Sequence, residues 1–518
     1  MTGGRVAVAL ALTWLAVAFL LAPRHGTLLT RDEVDYAQAA RQGLVANWLE
    51  EGGLSLPAFL GFVQARLDDA PVVFPEGYDE ATDPLNLRHL HPPLLTYMLV
   101  PFSGAQSERV LRLVLLVGVL MLLVTLHMAF GPAFGPGGGR DGALDGEAPD
   151  GARDGWSFAL MLLMGAWAAL HGFSTLHMHG LMAVTALLAT ALFLRWLEEP
   201  GRGWPVLPAL GLALTALTLE TAVLIWGGLL ALALFWPSTQ GGDADRTIRV
   251  RLRAVFPVFA LALGLVAVFW LGGLVKASPL RTVTSYAYRI YLGGEYALVS
   301  ARLPGIARAA LPFLLLAGMA MGARIVTRIR LSWRSRAFLL VGVVYGVVMV
   351  PVALSETYLI PAAVLLTVPS LAALAHVKGR AARASILLAI VIALAASSPP
   401  VGAGDADARL RDDYEWLAGD GRLEGRVLWA DVGHILDWYF PDAQVRLITV
   451  SYDGTSLTER RQGRYRPLSE ADIGHDLVLV EGSRGGQSLE RSRGPLMGCV
   501  RSPRPSFVLY DCGRRSVR

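Results

Sequence analysis

Long apolar runs fill most of the first 400 residues of this chain, and short polar segments separate them. A helix needs about 20 mostly apolar residues to cross the hydrocarbon core of a bilayer. The pattern therefore predicts a mainly α, polytopic membrane helical bundle over residues 1–400. Eleven runs are candidate spans, several of them short: Val6–Ala22, Val110–Phe130, Trp156–His171, Leu181–Leu197, Val206–Leu219, Thr221–Trp236, Val255–Val275, Ala309–Ala323, Ala337–Leu354, Leu359–Leu374 and Ala384–Ala396.

The stretch from Val206 to Trp236 is long for one span and short for two, and Glu220 lies at its middle. Cytoplasmic loops of membrane proteins carry an excess of arginine and lysine. Two spans here place three basic groups on one side of the membrane, whereas one span would split them: Arg246–Arg253, Arg324–Arg336 and Lys378–Arg383. We therefore expect the N-terminus inside, the long loop 23–108 outside, and the region after Ser397 outside.

The composition turns globular in residues 401–518. Three apolar segments predict strands, the first two of them joined by a short helix: Arg426–Ala430, Gln444–Val450 and Asp476–Val480. The only two cysteines, Cys499 and Cys512, flank a further apolar segment, Ser506–Tyr510. We expect a small C-terminal extracytoplasmic α/β domain in which a disulfide closes a terminal hairpin, with two free thiols as the alternative.

The overall composition agrees with a membrane protein, because 54% of the residues are hydrophobic and only 17% are charged. The net charge of +4 comes almost wholly from arginine, since Lys276 and Lys378 are the only lysines. The arginines cluster beside apolar runs and form no stripe with interleaved aromatic residues. A nucleic-acid partner is therefore not expected.

An acidic cluster directly follows the first apolar run. Thr30 and Glu33 fit a capping box, which predicts a helix start here. Asp32 and Tyr36, four residues apart, share a face of that helix. Asp32 also lies in the first turn, where the helix dipole favours the ionised form that a general base needs. The alternative is that Asp32, Glu33 and Asp35 are solvated charges at a helix start.

Four short motifs carry a resemblance to a known family. They are Asp32-Glu33 before Tyr36-Ala-x-x-Ala-Arg41, His91-Pro-Pro-Leu94 before the second span, Arg109-Val-Leu-Arg112-Leu113 at its entry, and Glu356-Thr-Tyr358-Leu-Ile-Pro361 with Pro369 in a late span. Together they resemble the membrane glycosyltransferases of the C superfamily, the group that contains the aminoarabinose transferases and the protein O-mannosyltransferases. The resemblance covers roughly Val6–Leu374.

This resemblance implies that a sugar, a hexose or a pentose, moves from a polyprenyl-phosphate donor to an acceptor hydroxyl, usually with inversion. The reaction would take place at the outer face of the bacterial cytoplasmic membrane, among membrane lipids. The acceptor would be a glycan, a lipid or a protein, and no cofactor is expected. Asp32 is the predicted base, and Glu33 either orients the acceptor or caps the helix.

The same resemblance directs attention to substrate-binding side chains on the outer side. The candidates for holding the phosphate or lining the pocket are Tyr36, Arg88, His89, His91, His179, Glu220, Lys276, Arg281, Arg289 and Tyr358. His179 stands where the family often has an aspartate, and Leu219-Glu220 stands where it often has Thr-Lys. The plainer alternatives are an interfacial aromatic belt after Lys276, a hydrogen-bonded loop histidine at His179, and a solvated turn at Glu220.

Two other groups of residues receive weaker roles. His171, His177 and His179 form a histidine-rich lip, but a metal site needs a further ligand and orienting partners, so no metal site is predicted. Asp431, His434 and Asp437 lie on the expected short helix of the C-terminal domain without a nucleophile or a phosphate loop. We expect that domain to bind the acceptor or to serve a structural role.

A transporter or flippase of a lipid-linked glycan is the alternative function. Alternating-access transporters tend to have broken helices and buried polar residues near the bilayer midplane in both halves. This chain keeps its polar residues near the outer ends of its spans. That distribution favours the enzyme over the carrier.

Overall fold

The computed structural model describes two compact units. The first contains the described residues within 92–98 and 114–397, and the second those within 29–41, 99–103 and 403–513. The predicted span Val6–Ala22 lies outside the described residues. The structure describes residues 29, 33–34, 36–37, 39–41, 92–103, 114, 117–118, 121–122, 125, 160–161, 163–165, 167–168, 178–198, 205–235, 248–275, 296–328, 331–350, 356–374, 376–377, 379–397, 403–430, 433–450, 457–461, 464–481, 496 and 498–513.

The first unit is a bundle of apolar helices, as the hydropathy pattern predicts. Their bounds are α1 Leu94–Leu99, α2 Met178–Glu198, α3 Val206–Thr218, α4 Ala222–Phe235, α5 Ile248–Val275, α6 Tyr296–Thr327, α7 Trp333–Met349, α8 Ile360–Leu374 and α9 Arg380–Ser397, with a 3-10 turn at Glu356–Leu359. The 3-10 turn Val100–Phe102, which follows α1 in the chain, is grouped with the second unit. Among the described residues, five segments are long and apolar enough to cross a membrane: Met178–Glu198, Ile248–Trp270, Leu303–Val326, Thr357–Leu374 and Arg380–Ser397. The total of eleven spans stays a prediction, because Val110–Phe130 and Trp156–His171 are only partly described.

The described part of the Val206–Trp236 stretch, Val206 to Phe235, forms two helices, as predicted. The backbone leaves the helical conformation at Leu219 (φ −157°, ψ 143°), and a turn through Glu220 and Thr221 leads into α4. Both helices are shorter than a full perpendicular span, with 13 residues in α3 and 14 in α4. Glu220 therefore lies at a helix boundary, where backbone groups already need partners outside the helix.

Small residues and hydroxyl groups let the inner helices approach closely, as is usual when helices pack within lipid. A Cβ atom added to Gly211 of α3 would lie 2.9 Å from the Cα atom of Ala189 in α2. The hydroxyls of Thr185 and Thr218 are 3.4 Å apart across the same pair of helices. Gly342 of α7 is similarly tight, since an added Cβ atom would lie 3.0 Å from the Leu366 side chain of α8.

The helices differ in how much apolar surface they bury within the bundle. Most residues of α2 and α8 are buried, whereas α5, α6 and α9 expose large apolar side chains such as Phe256, Leu314 and Leu388. Apolar surface this extensive is unusual on a protein surrounded by water. It suits helices whose outer faces meet lipid.

The second unit contains a seven-stranded sheet in the order β4-β3-β2-β1-β5-β7-β6. Its elements are α10 Ala403–Ala418, a 3-10 turn Gly419–Gly421, β1 Val427–Ala430, α11 Gly433–Tyr439, β2 Gln444–Val450, β3 Leu457–Arg461, β4 Arg464–Pro467, α12 Glu470–Ile473, β5 Leu477–Glu481, β6 Val500–Pro503 and β7 Phe507–Asp511. The central strand β1 pairs in parallel with β2 and β5, and the other pairs are antiparallel. The three strands and the intervening helix predicted from sequence are all present.

Alternate strand residues fill two cores, one on each face of the sheet. One core contains Trp429 and Val478, and the other contains Leu428, Leu477 and Tyr414, the last from α10. The predicted disulfide joins Cys499 to Cys512 beside the antiparallel β6–β7 hairpin. The C-terminal sheet is therefore covered on both faces and closed covalently at its end.

Candidate active site

The acidic segment, residues 29–41, is helical at its described positions from Glu33 onward. Glu33 is 1% exposed, and Tyr36 is also buried. Glutamate is rarely buried this deeply unless other groups compensate its charge. A solvated helix start is therefore wrong for Glu33, while Asp32 and Asp35 lie outside the described residues.

The acidic segment is in contact with α11 of the same unit. The backbone N–H of Leu29 donates a hydrogen bond to the Tyr439 hydroxyl, with 2.7 Å between nitrogen and oxygen. The Arg41 guanidinium lies over the Trp438 ring, 3.5 Å from the ring centre. The short helix of the C-terminal domain therefore touches the chain on both sides of the predicted base.

Polar side chains, most of them buried, collect at one end of the helical bundle. The His179 ring at the start of α2 lies 4.4 Å from the Tyr358 ring, measured between centres. Glu220 in the α3–α4 turn is 3% exposed, and its neighbour Thr221 shares a 2.9 Å hydrogen bond with Tyr345 near the end of α7. We call these five residues the bundle-end cluster. Protein covers Glu220, so the solvated-turn alternative is wrong.

The described part of the His91-Pro-Pro-Leu94 motif, residues 92–94, lies at the same end of the bundle. Leu94 packs against a core cluster that contains Leu217 at the end of α3 and Trp270 near the end of α5. The Tyr97 hydroxyl donates to the Phe269 carbonyl, next to the non-helical backbone at Trp270. The ends of α3 and α5 therefore hold the start of α1 at the same end of the bundle as the bundle-end cluster.

The opposite end of the bundle is basic. Arg334 at the start of α7 pairs with Glu198 at the end of α2, and Arg251 near the start of α5 donates to the Leu234 carbonyl near the end of α4. At a rise of about 1.5 Å per residue, α2 separates His179 from Glu198 by about 30 Å, roughly one hydrocarbon thickness. The bundle thus has a polar end and a basic end that lie one bilayer apart.

The structure groups only some of the predicted site residues. His179 and Tyr358 are brought into contact, Glu220 lies at the same end of the bundle, and Glu33 and Tyr36 share one buried helix of the second unit. The remaining candidates lie outside the described residues: Asp32, Arg88, His89, His91, Lys276, Arg281 and Arg289. Within the described part of the chain, no group of three or more histidine, cysteine or acidic residues is arranged to hold a metal ion.

Sequence reasoning missed three contributors. Tyr345 could have been noticed in the sequence, because it is the one tyrosine in the otherwise apolar run Ala337–Leu354. The sequence around Trp438 and Tyr439 gave no such indication, because aromatic residues on a short helix between two strands are ordinary core residues. Contacts across some 410 residues of sequence, such as that between Leu29 and Tyr439, leave no local pattern.

These observations define a class by fold: a polytopic helical membrane bundle followed by a C-terminal mixed sheet. The structure is similar to that of ArnT from Cupriavidus metallidurans, solved bound to undecaprenyl phosphate, with a TM-score of 0.54 over 99% of this chain and 98% of that chain. The two sequences are 11% identical, so the likeness concerns the fold. The fold that the sequence resemblance implies is thereby confirmed. No family model and no curated protein matches the sequence.

Proposed function

We propose that this protein is an integral-membrane glycosyltransferase that moves a hexose or pentose from a polyprenyl-phosphate donor to an acceptor hydroxyl. The observation that carries the proposal is the likeness to ArnT, which extends over 99% of the chain and includes both units. That relative was solved with undecaprenyl phosphate bound. The buried carboxylate of Glu33, next to the predicted base Asp32, supplies the kind of group that the reaction needs.

The proposed chemistry is a single displacement at the anomeric carbon. The Asp32 carboxylate takes the proton of the acceptor hydroxyl while the acceptor oxygen forms a bond to that carbon. The bond from the carbon to the phosphate oxygen breaks, and polyprenyl phosphate leaves with the bonding electrons. The configuration inverts, and no cofactor takes part. Glu33 orients the acceptor, and Tyr36 lies on the same helix.

The arrangement of charges supports a reaction at the outer face of the cytoplasmic membrane. Basic residues favour the cytoplasmic side, and in the bundle they lie at the end that holds Arg251 and Arg334. The bundle-end cluster is at the other end, so this rule assigns it to the outer side. With the same orientation, the N-terminus is inside and the C-terminal domain is outside.

Donor binding is assigned to two sets of residues. His179, Glu220 and Tyr358 of the bundle-end cluster line the pocket for the sugar and its phosphate. Cationic side chains of the outer loops neutralise the leaving phosphate, which develops charge as the bond breaks. These cations are drawn from Arg88, His89, His91, Lys276, Arg281 and Arg289.

The decisive variant is Asp32→Asn, which keeps the shape of the side chain and removes its basicity. We expect the rate of sugar transfer to fall by at least about 100-fold, because a general base contributes about that much. Binding of polyprenyl phosphate, measured on the purified protein, should stay unchanged. The matched control is Asp412→Asn, a change at an exposed carboxylate of α10.

The donor and acceptor for that assay come from mass spectrometry of envelope glycans in cells with and without this chain. A glycan that loses one sugar in its absence identifies both substrates. If Asp32→Asn kept full turnover, the base assignment would be wrong. If the chain instead moved a lipid-linked glycan between leaflets without forming a glycosidic bond, it would be a carrier.

A further inference from the structure

Two adjacent aromatic residues at the end of α11 contact the acidic segment at points that flank its carboxylates. The Tyr439 hydroxyl accepts the Leu29 N–H at 2.7 Å, before the carboxylates in sequence. The Trp438 ring lies under Arg41 at 3.5 Å, after them. A segment held at both ends loses freedom to slide or rotate relative to its support.

The support itself is firmly built into the sheet. The helix α11 connects the parallel strands β1 and β2 and packs against β2. Leu436 on α11 is fully buried, and the Tyr439 ring lies 5.3 Å from that of Tyr414, measured between centres. Close-packed interiors transmit position because they deform little. The location of the Tyr439 hydroxyl is therefore fixed by the core of the C-terminal domain.

The proposed chemistry also requires that the acidic segment keep a defined position. Glu33, Val34 and Ala37 are almost completely buried, so small movements would disturb packed contacts. A displacement of about 1 Å in a reacting group can lower a rate by about 100-fold. Any element that sets the position of this helix would therefore influence turnover.

We infer that Trp438 and Tyr439, in the C-terminal domain, are positioning residues that hold the acidic segment in its catalytic place. This inference rests on the proposed transferase function. It assigns the domain a task that its own polar residues do not reveal. The residues act through Leu29 and Arg41 and do not touch the reacting atoms.

The first test is amide hydrogen exchange, which reports on the acidic segment whatever the reaction is. Three variants of the full-length protein in detergent are compared with the wild type: Tyr439→Phe, Trp438→Leu and the double change. Loss of one hydrogen bond, or of one cation–π contact, should speed exchange in peptides covering residues 29–41 by about three- to tenfold. Trp438→Phe keeps a ring under Arg41 and should restore slow exchange.

The matched control is Trp416→Leu. Trp416 belongs to the same domain, and two guanidinium groups lie over its ring: that of Arg422 at 4.0 Å from the ring centre and that of Arg504 at 4.9 Å. Both arginines lie within the C-terminal region, so the change weakens the domain and leaves the Leu29–Tyr439 and Arg41–Trp438 contacts in place. Exchange in residues 29–41 should stay at the wild-type rate.

The second test is steady-state transfer. We expect the double variant Tyr439→Phe, Trp438→Leu to lower kcat by about 10- to 100-fold with the KM for the donor unchanged, because a base is misplaced and no donor contact is lost. Unchanged exchange, or an equal effect of Trp416→Leu, would overturn the inference. Faster exchange with wild-type kcat would also overturn it.

The two proposals fail differently. If the wild-type chain transferred no sugar while the variants still exchanged faster, the proposed function would be wrong. The positioning role of Trp438 and Tyr439 in catalysis would then be overturned, and their contacts with the acidic segment would be structural only. Faster exchange together with reduced kcat supports both.

Discussion

The helical bundle and the C-terminal sheet use buried polar groups in different ways. In the bundle, the hydroxyls of Thr190, Thr215 and Thr367 donate to carbonyls of their own helices. In the sheet domain, charged side chains pair across elements, as Asp413 does with Arg504. Unpaired polar groups are costly in hydrocarbon, so these hydroxyls are satisfied within their own helices, while others bond across helix pairs, as Thr221 does with Tyr345. Water on the surface of the sheet domain permits pairs between distant residues.

The comparison predicts different weaknesses. The bundle should be sensitive to side-chain volume at its close helix contacts and insensitive to redox conditions. The sheet domain should be sensitive to loss of its disulfide and of its buried ion pair. Separate unfolding transitions, or local exchange rates in each unit, report the two responses.

The largest expected effect is on the sheet domain and follows disulfide removal. The double change Cys499→Ser, Cys512→Ser opens a loop with a sequence separation of 13 residues. For a loop of about that length, the free energy of unfolding should fall by about 3 kcal/mol. Thermal unfolding of the sheet, followed by exchange of β6 and β7 amides, measures it. Equal destabilisation of α2 and α3 would contradict the comparison.

A somewhat smaller loss is expected from Asp413→Ala. This carboxylate is 1% exposed and accepts hydrogen bonds from Arg504 Nε at 2.8 Å and from the Ser506 backbone N–H at 2.9 Å. Its removal leaves both donors without this acceptor, which should lower the free energy of unfolding by about 2 kcal/mol. Urea denaturation measures the change. Asp412→Ala, at the exposed neighbouring position, should have little effect.

In the bundle, the matched pair is Gly211→Ala and Gly264→Ala. The added Cβ atom would meet the Ala189 backbone at 2.9 Å in the first variant and nothing within 4 Å in the second. We expect Gly211→Ala to destabilise the α2–α3 contact by about 1–2 kcal/mol. Gly264→Ala should be neutral or slightly stabilising because alanine favours a helix. Thermal unfolding in detergent checks both, and equal melting temperatures would contradict the close approach.

The smallest effect is a pH dependence at the start of α12. Hydrogen bonds from the Ser469 side chain and backbone, followed by that from Arg466, hold the pKa of Asp472 below its usual range. A lowered pKa in the folded protein stabilises it above the unfolded pKa of about 3.9, and the stabilisation is lost as the pH falls through the folded value. Wild-type stability should therefore decline more steeply than that of Asp472→Asn as the pH falls below about 4. Melting curves across that range measure it, and parallel curves would contradict it.

Several elements followed directly from local pattern. The break at Glu220 was predictable because a charge in an apolar run is costly, and the basic segments fixed the number of helices around it. Strands β1, β2 and β5 and the Cys499–Cys512 disulfide followed from short apolar segments and from the position of the cysteines. The contact between His179 and Tyr358 is consistent with the resemblance that selected both residues.

Other features were not predictable because they depend on pairing between distant segments. The β3–β4 hairpin is built from Leu457–Arg461 and Arg464–Pro467, which are largely polar and carry no strong alternation. The burial of Glu33 depends on what surrounds its helix. The contacts of Trp438 and Tyr439 with the acidic segment connect opposite ends of the sequence, and periodicity reports only on near neighbours.

The hydrogen bond between Leu29 and Tyr439 also sets a parity condition on membrane topology. Two residues can share a hydrogen bond only in the same aqueous compartment, so the chain between them must cross the bilayer an even number of times. Merging α3 and α4 into a single crossing would change that number by one and place the two partners in different compartments. One hydrogen bond of the sheet domain thus tests whether the number of crossings between residues 29 and 439 is even.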